Sequence, residues 1–133
     1  MNYLALDLGR KHTGVAYADS KIRIAMPLET IHHIASEELI HALQPLILKR
    51  EIGEIVVGMP YLMSGREGEE AERVHGVLTL LQDAYPTCTF SILDERETSR
   101  IAQGAHSTDN HAEAAVRILA TYLDRKIPSG ISE

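Results

Sequence analysis

The sequence predicts an α/β fold in which a mixed sheet of five strands is flanked by helices. Short runs of β-forming apolar residues alternate along the chain with longer segments whose apolar residues recur every three or four positions. The first two runs are joined by a tight connection, whereas the later runs are separated by helical segments. An antiparallel hairpin followed by crossovers gives a sheet of mixed direction with helices on both faces, not a doubly wound dinucleotide-binding sheet.

The N-terminal part of the chain contributes three extended segments. Residues 3–8 and 13–18 are β-type runs, and residues 9–12 between them have the composition of a tight turn. A third extended stretch is predicted near residues 28–33, directly after a proline. These segments supply the first three strands of the predicted sheet.

The middle of the chain alternates helix and strand. Residues 36–50 form a predicted amphipathic helix with acidic residues in its first turn and basic residues in its last turn, where each charge complements the helix dipole. Pro45 is the position where this helix could bend. Residues 54–58 are almost entirely apolar, as is typical of a strand covered on both faces, and a helix is predicted over 69–84.

The C-terminal part of the chain is predicted to hold a strand at 87–93, a short helix at 98–103 and a final amphipathic helix at 110–126. Residues 128–133 have the composition of a flexible tail. With 133 residues and no repeats, the chain is expected to form one domain over residues 1–127. A domain of this size buries a substantial core without disulfide or metal cross-links.

The charge distribution disfavours a non-specific, high-affinity binder of polyanions. The formal net charge is −6, and residues 51–100 carry four basic and ten acidic side chains. Residues 1–50 carry six basic and five acidic side chains, so any basic surface belongs mainly to the N-terminal part.

The remaining composition indicates a cytoplasmic protein without a membrane partner. Cys88 is the single cysteine, which excludes an intramolecular disulfide framework and a Cys-rich zinc site. The first residues lack a signal-peptide pattern, and charged residues interrupt every apolar run well before about 18 residues.

Two acidic residues stand at the ends of predicted core strands. Asp7 lies near the end of the first strand, before Gly9, and Glu95 follows the strand at 87–93. Taken alone, each acid also has a purely structural explanation, because acidic residues are common at strand ends that face solvent. If the two strands are neighbours, the carboxylates repel each other unless a cation lies between them, which favours a divalent metal site.

The seven histidines lack the paired Cys/His spacing of a structural zinc site. His32, His33 and His41 are among those without such spacing. Most of the seven are expected to lie at the surface.

Four segments of the chain together resemble one protein family. They are ALDLGRKHTGVAYAD at 5–19, IVVGMPYLMSGREGEEAERV at 55–74, LDERETSRIA at 93–102 and AAVRILATYLD at 114–124. In this order they resemble the YqgF/RuvX family, described as Holliday junction resolvases and as pre-16S rRNA nucleases.

The resemblance implies a ribonuclease H-like fold, in which acids from the first strand, a later strand and the last helix converge on divalent metals. Asp7 matches the first acid of the family pattern, and Glu95 matches the second. The implied cofactor is Mg²⁺ or Mn²⁺. Two ions about 3.5 to 4 Å apart would activate water and stabilise the leaving oxygen during phosphodiester hydrolysis.

The position of the family's third acid, three residues before the Ala114-Ala115 pair, is His111 in this chain. We expect His111 to act as the third ligand, which would weaken a two-ion site and favour Mn²⁺ over Mg²⁺. Asp109 is the alternative, provided that the helix begins late enough to aim its carboxylate at the other two acids. Asn110 and Glu113 could also cap this helix reciprocally.

Arg10, Lys11 and Arg96 flank the two matched acids and are the expected substrate-binding residues. Relatives usually have a longer, often basic segment between the positions of Thr98 and His111. Nucleic-acid binding is therefore expected to be weak, with about two or three phosphate contacts.

The leading interpretation is a hydrolase, a metal-dependent nuclease that processes the 5′ end of precursor 16S rRNA. A Holliday junction resolvase with the same chemistry is the nearest alternative, and it would require a homodimer that presents two sites to branched DNA. A catalytically impaired nucleic-acid-binding or ribosome-assembly protein is the third, because His111 breaks the pattern of acids. An ATP-binding domain of the actin and sugar-kinase type is disfavoured, since the chain lacks a second phosphate loop and a second domain.

Overall fold

A computed structural model of the chain describes residues 1–98 and 110–126. The strands are β1 (Asn2–Leu8), β2 (His12–Ala18), β3 (Met26–Pro27), β4 (Ile31–His32), β5 (Ile52–Met59) and β6 (Thr89–Asp94). The helices are α1 (Ser36–Lys49), α2 (Glu69–Ala84) and α3 (His111–Lys126). Residues 96–98 are also helical. The predicted tail and most of the predicted short helix lie outside the described residues.

The strands form one mixed sheet in the order β3-β2-β1-β5-β6, with β4 also paired to β2. Strand β1 is antiparallel to β2 and parallel to β5, and β5 is parallel to β6. Because β3 and β4 both lie along β2, the sheet is five strands wide, as the sequence predicts.

The predicted third strand at 28–33 is wrong in detail, because the edge consists of two strands of two residues each. Ala16 pairs with Pro27, whereas Thr13 pairs with Ile31. Three steps along β2 thus correspond to four steps along the edge, so one extra residue is inserted. Such an insertion interrupts the ladder as a β-bulge does.

Alternation along the strands divides the core between the two faces of the sheet. The face covered by α1 and α2 buries the leucines of β1, Leu4, Leu6 and Leu8. The face covered by α3 buries Tyr3 and Ala5 of the same strand. Since side chains of a strand point alternately to opposite faces, residue 7 belongs to the α3 face.

The helices bury their apolar stripes against these two faces. Helix α1 buries Leu39, Leu43 and Ile47, spaced by one helical turn, and continues through Pro45 to Lys49. At its start, the Glu38 side chain accepts hydrogen bonds from the backbone N–H groups of residues 34 and 35. Among the described residues, no helix combines the length and the apolar character needed to cross a bilayer.

Candidate active site

Asp7 lies near the carboxyl end of β1, on the face of the sheet that α3 covers. Strands β1, β5 and β6 are parallel, so their carboxyl ends meet at one edge, and Glu95 directly follows β6 at that edge. The Asp7 side chain is 22% exposed. The neighbouring strand ends therefore bring together the two acids that the sequence singles out.

Gly14 allows the start of α3 to pack directly on the sheet beside Asp7. Gly14 is the cross-strand partner of Asp7 in the antiparallel pair of β1 and β2. A Cβ atom at residue 14 would lie 1.9 Å from the carbonyl oxygen of His111 and 3.0 Å from the backbone nitrogen of Ala112. Only a glycine permits this approach, and it places His111 next to the first acid.

His111 is the first residue of α3, and its imidazole faces the Asp7 carboxylate. The Nδ1 atom of His111 lies 3.4 Å from Oδ2 of Asp7, which is a long contact for a hydrogen bond. The side chain of Asn110 accepts a hydrogen bond of 3.1 Å from the backbone N–H of Glu113, so it caps the helix as half of the predicted reciprocal pair. This cap fixes where the helix begins, and with it the position of His111.

Glu95 lies in a turn held against β5. Its backbone N–H donates a 3.0 Å hydrogen bond to the carbonyl of Met59, the last residue of β5. A Cβ atom at Gly58 would come within 2.6 Å of Oε2 of Glu95 and 2.5 Å of Cδ1 of Ile118. The Glu95 carboxyl thus occupies space that a side chain on β5 would otherwise fill.

Burial, followed by the charge of the neighbouring Asp7, raises the pKa of Glu95 to about 7. Burial disfavours the charged form of a carboxyl, and a nearby carboxylate adds like-charge repulsion. Strongly perturbed acids of this kind in a cleft mark functional sites more often than structural ones. The pair is therefore the chemically distinctive feature of this edge of the sheet.

The two acids open into a cavity of about 320 Å³ between the strand ends and α3. It is lined by Asp7, Pro60, Tyr61, Met63, Glu95, Arg96, Thr98, Ala114, Arg117 and Ile118. The cavity is partly open, and helix α3 contributes three of its lining residues.

Two of the three cations expected to bind substrate are engaged by acids of the protein. Arg96 binds both carboxylate oxygens of Asp94, its shortest contact being 2.6 Å, and lowers the pKa of Asp94. Arg10 makes a 2.7 Å ion pair with Glu70 of α2. Lys11 is exposed on the connection between β1 and β2. Arg96 lines the cavity, whereas Arg10 and Lys11 lie outside its lining.

The sequence interpretation missed Arg117, which lines the cavity from α3. Its side chain is half-buried, and within residues 1–98 and 110–126 it has no hydrogen bond or ion pair. The signal was present in the sequence. Arg117 interrupts the apolar run AAVRILA, at helical spacing from Ala114, which also lines the cavity.

Two other predicted positions have different outcomes. Asp109 lies outside the described residues, so its part in the site stays a prediction. His33 is an exception to the expected exposure of the histidines, because it is 8% exposed and its Nε2 lies 2.9 Å from Oγ1 of the buried Thr13. Its position next to β2 in the folded chain, rather than its local sequence, causes this burial.

The donor atoms of the pair suit Mg²⁺ or Mn²⁺, which bind carboxylate oxygens. The raised pKa of Glu95 supports this fit, since a cation beside the pair would relieve the repulsion that contributes to it. In the part of the chain that the structure describes, no three Asp, Glu, Cys or His side chains form a ready cluster for a metal. The fit therefore rests on Asp7 and Glu95, with His111 beside them.

Sequence comparison matches the chain to proteins of one family. The model of the RuvX family, described as "Holliday junction resolvase", matches residues 1–125. A protein of Rubrobacter xylanophilus named "Putative pre-16S rRNA nuclease" is 34% identical over 90% of each chain. A protein of the same name from Chloroflexus aurantiacus is 39% identical over 75% of this chain, and the match spans only 65% of that relative's length.

Among solved structures, the fold is similar to that of T. thermophilus RuvC in complex with a Holliday junction substrate. The TM-score is 0.63 at 16% sequence identity, and the match covers 95% of this chain and 96% of RuvC. This similarity confirms the ribonuclease H-like fold.

Proposed function

The chain belongs to the RuvX family, and from that membership and the paired acids we propose that it is a divalent-metal-dependent nuclease that cleaves precursor 16S rRNA. The single observation that carries the proposal is the cavity that contains Asp7 beside Glu95, whose pKa is raised to about 7. Two like charges buried next to each other destabilise a fold unless a bound ligand compensates their charge. A divalent cation would compensate the negative charge of the two carboxylates. Because the pair lies in an open cleft, a phosphodiester could approach that cation.

In this proposal Asp7 and Glu95 would hold Mg²⁺ or Mn²⁺. His111, next to Asp7, would be the third ligand of the metal site. When bound, divalent ions supply Lewis-acid polarisation of the phosphoryl group and compensate the charge on the attacking and leaving oxygens. The chain itself supplies the two fixed carboxylates. Their positions are set by the end of β1 and by the turn after β6, which a backbone hydrogen bond holds against β5.

Arg117 would bind a phosphate of the substrate across the cavity from the acids. Because Arg117 has no partner within residues 1–98 and 110–126, its guanidinium is available there for a bidentate contact with a phosphate. Arg96, by contrast, is held by Asp94, so its contribution to binding is expected to be smaller. The acidic side of the cavity would repel a bare phosphate, and Arg117 offsets part of that repulsion.

The proposed substrate comes from the names of the sequence relatives. RNA with unpaired or splayed strands fits a shallow cleft that offers carboxylates and an arginine but few base-reading groups. Because ribosomal RNA matures where ribosomes are assembled, the proposed place of action is the cytoplasm.

A junction resolvase is the second candidate, since the family description names that activity. Cutting a four-way junction symmetrically requires two copies of the site related by a two-fold axis. The resolvase interpretation therefore also predicts a homodimer, which the nuclease acting on rRNA ends does not require.

The test is to incubate the purified full chain with Mg²⁺ or Mn²⁺ and two labelled substrates, precursor 16S rRNA with an extended 5′ end and a four-way DNA junction. We expect metal-dependent cleavage of the rRNA, abolished by EDTA. Cleavage of the junction alone, with a dimer in solution, would favour the resolvase. If neither substrate is cut while both are bound, the protein is the catalytically impaired binder that the break at His111 also allows.

A further inference from the structure

Within residues 1–98 and 110–126, four histidines gather at the start of β2, although they come from three separate segments of the chain. His33 is buried behind β2 and His111 contacts Asp7, whereas His12 and His32 remain exposed. The proposed nuclease site makes no use of His12 and His32. We call these two residues the imidazole pair.

The imidazole pair consists of direct cross-strand neighbours. His12 of β2 and His32 of β4 lie opposite each other in an antiparallel register. Such partners have Cβ atoms about 5 Å apart on the same face of the sheet. Their rings meet edge to face with centroids 4.7 Å apart, and the two Nδ1 atoms are 2.7 Å apart.

We propose that the imidazole pair is a chelating site for a borderline transition-metal ion such as Zn²⁺ or Ni²⁺. Both ring nitrogens that face each other are possible ligands, because neutral imidazole binds a metal through either Nδ1 or Nε2. In the metal-free pair, one Nδ1 must carry a proton and donate it to the other. Transfer of that proton to the Nε2 of the same ring leaves both Nδ1 atoms unprotonated and facing each other.

Two adjustments would admit an ion. Two nitrogens, each about 2.0 to 2.1 Å from a tetrahedral zinc, are roughly 3.3 Å apart. The Nδ1 atoms would therefore separate by roughly 0.6 Å from their present distance, and each ring would turn so that its Nδ1 lone pair points at the ion instead of at the other ring. Exposed side chains make adjustments of this size readily, and the backbone pairing of β2 and β4 holds the two rings on one face.

The ligand chemistry separates this site from the carboxylate pair. Imidazole nitrogens suit Zn²⁺, Ni²⁺ and Cu²⁺, whereas Mg²⁺ prefers oxygen ligands. The His12 ring centroid lies 5.5 Å from that of His111. An ion at the imidazole pair would therefore lie one ring away from the side chain that contacts Asp7, outside the carboxylate site itself.

The test is calorimetric titration of the full chain, without any polyhistidine tag, with Zn²⁺ and separately with Ni²⁺. The starting protein carries Asp7→Asn and Glu95→Gln, so that the carboxylate site does not contribute. Added His12→Gln or His32→Gln should each weaken binding by at least about tenfold, because even loss of a partner behind a metal ligand costs that much. His41→Gln is the matched control, since His41 is exposed on α1, and it should leave the affinity unchanged.

A second measurement does not depend on the heat of binding. Ni²⁺ should broaden the imidazole proton resonances of His12 and His32 before those of His41, and excess Mg²⁺ should not reverse the broadening. Equal affinity in the His12→Gln and His32→Gln proteins, or loss of binding in His41→Gln as well, would overturn the proposal. These readouts do not involve cleavage, so failure of the nuclease assay would leave the result intact.

Discussion

The Glu95 carboxyl lies in the space next to Gly58 where a side chain on β5 would be. A Cβ atom at residue 58 would approach Oε2 of Glu95 to 2.6 Å, a distance that real Cβ atoms essentially never show. The same atom would approach Cδ1 of Ile118 on α3 to 2.5 Å. Gly58 is therefore the position at which the sheet, the second acid and the last helix fit together.

Gly58→Ala is expected to displace Glu95 and to lower the free energy of unfolding by about 1 to 3 kcal/mol, as overpacking in a core does. Cleavage should fall more than stability alone explains, because the carboxylate moves away from Asp7. Urea unfolding and the cleavage rate at a temperature where the variant is fully folded measure the two effects.

Gly76→Ala is the matched control for this variant. Gly76 lies inside α2, and apart from its chain neighbours and its own helix backbone no atom of residues 1–98 and 110–126 lies within 4 Å of the position of a Cβ. The change should stabilise the protein by up to about 1 kcal/mol, since alanine is the better helix former, and should leave cleavage unchanged. Normal cleavage by Gly58→Ala would show that this close approach does not position the second acid.

The pKa of about 7 at Glu95 predicts a pH dependence of stability. The folded protein holds this proton between roughly pH 4.5 and 7 while the unfolded chain releases it, so stability falls as the pH rises through this window. The whole effect is on the order of 3 kcal/mol. Glu95→Gln removes it, so the variant should gain stability relative to the parent at pH 8 but not at pH 4.

Urea unfolding of both proteins in EDTA at several pH values measures this difference, and the titrating groups that do not interact with Glu95 cancel in the comparison. Mg²⁺ at pH 8 should restore part of the stability of the parent alone, as expected for a ligand that binds only the folded state. A constant difference between the two proteins from pH 4 to pH 8 would contradict the raised pKa.

Arg117→Met is expected to weaken RNA binding and to reduce the slope of log K against log salt by about 1, as loss of one phosphate contact does. Binding is measured in EDTA so that no cleavage occurs. Arg125→Met is the control on the same helix, because Arg125 pairs with Glu97 and does not line the cavity. Equal slopes for the parent and Arg117→Met would remove Arg117 from the substrate site.

The sequence predicts the sheet and helices well because their signals are local. The apolar run of β1 and the helical spacing of Leu39, Leu43 and Ile47 do not depend on distant residues. The edge strands were mispredicted as one element, since the extra residue between β3 and β4 is defined only by pairing with β2.

The site could be predicted only as far as its residues match a recognisable pattern. Asp7 and Glu95 stand at strand ends in the sequence, and the fold brings those ends together. The clearance at Gly14, the burial of His33 and the contact of His12 with His32 depend on pairing between segments about 20 residues apart or more. No local pattern contains that information.

His111 is the proposed third ligand, and variants distinguish it from Asp109. His111→Ala should lose most activity and Asp109→Asn little, because His111 Nδ1 lies beside Asp7 in the structure. His111→Asp should raise cleavage with Mg²⁺ relative to Mn²⁺, since it exchanges a nitrogen ligand for oxygen. Initial rates in each metal provide the comparison. An inactive Asp109→Asn together with an active His111→Ala would reverse the assignment.

The most direct test of the metal-dependent mechanism is cleavage of precursor 16S rRNA by Asp7→Asn, which keeps the shape of the side chain and removes its charge. This mechanism predicts a loss of at least about a hundredfold with either metal, because the charge compensation of the reaction depends on this residue. It also predicts a melting temperature in EDTA equal to or slightly above that of the parent, since repulsion with Glu95 is relieved. Full activity of Asp7→Asn in Mg²⁺ would contradict the proposed metal-dependent mechanism.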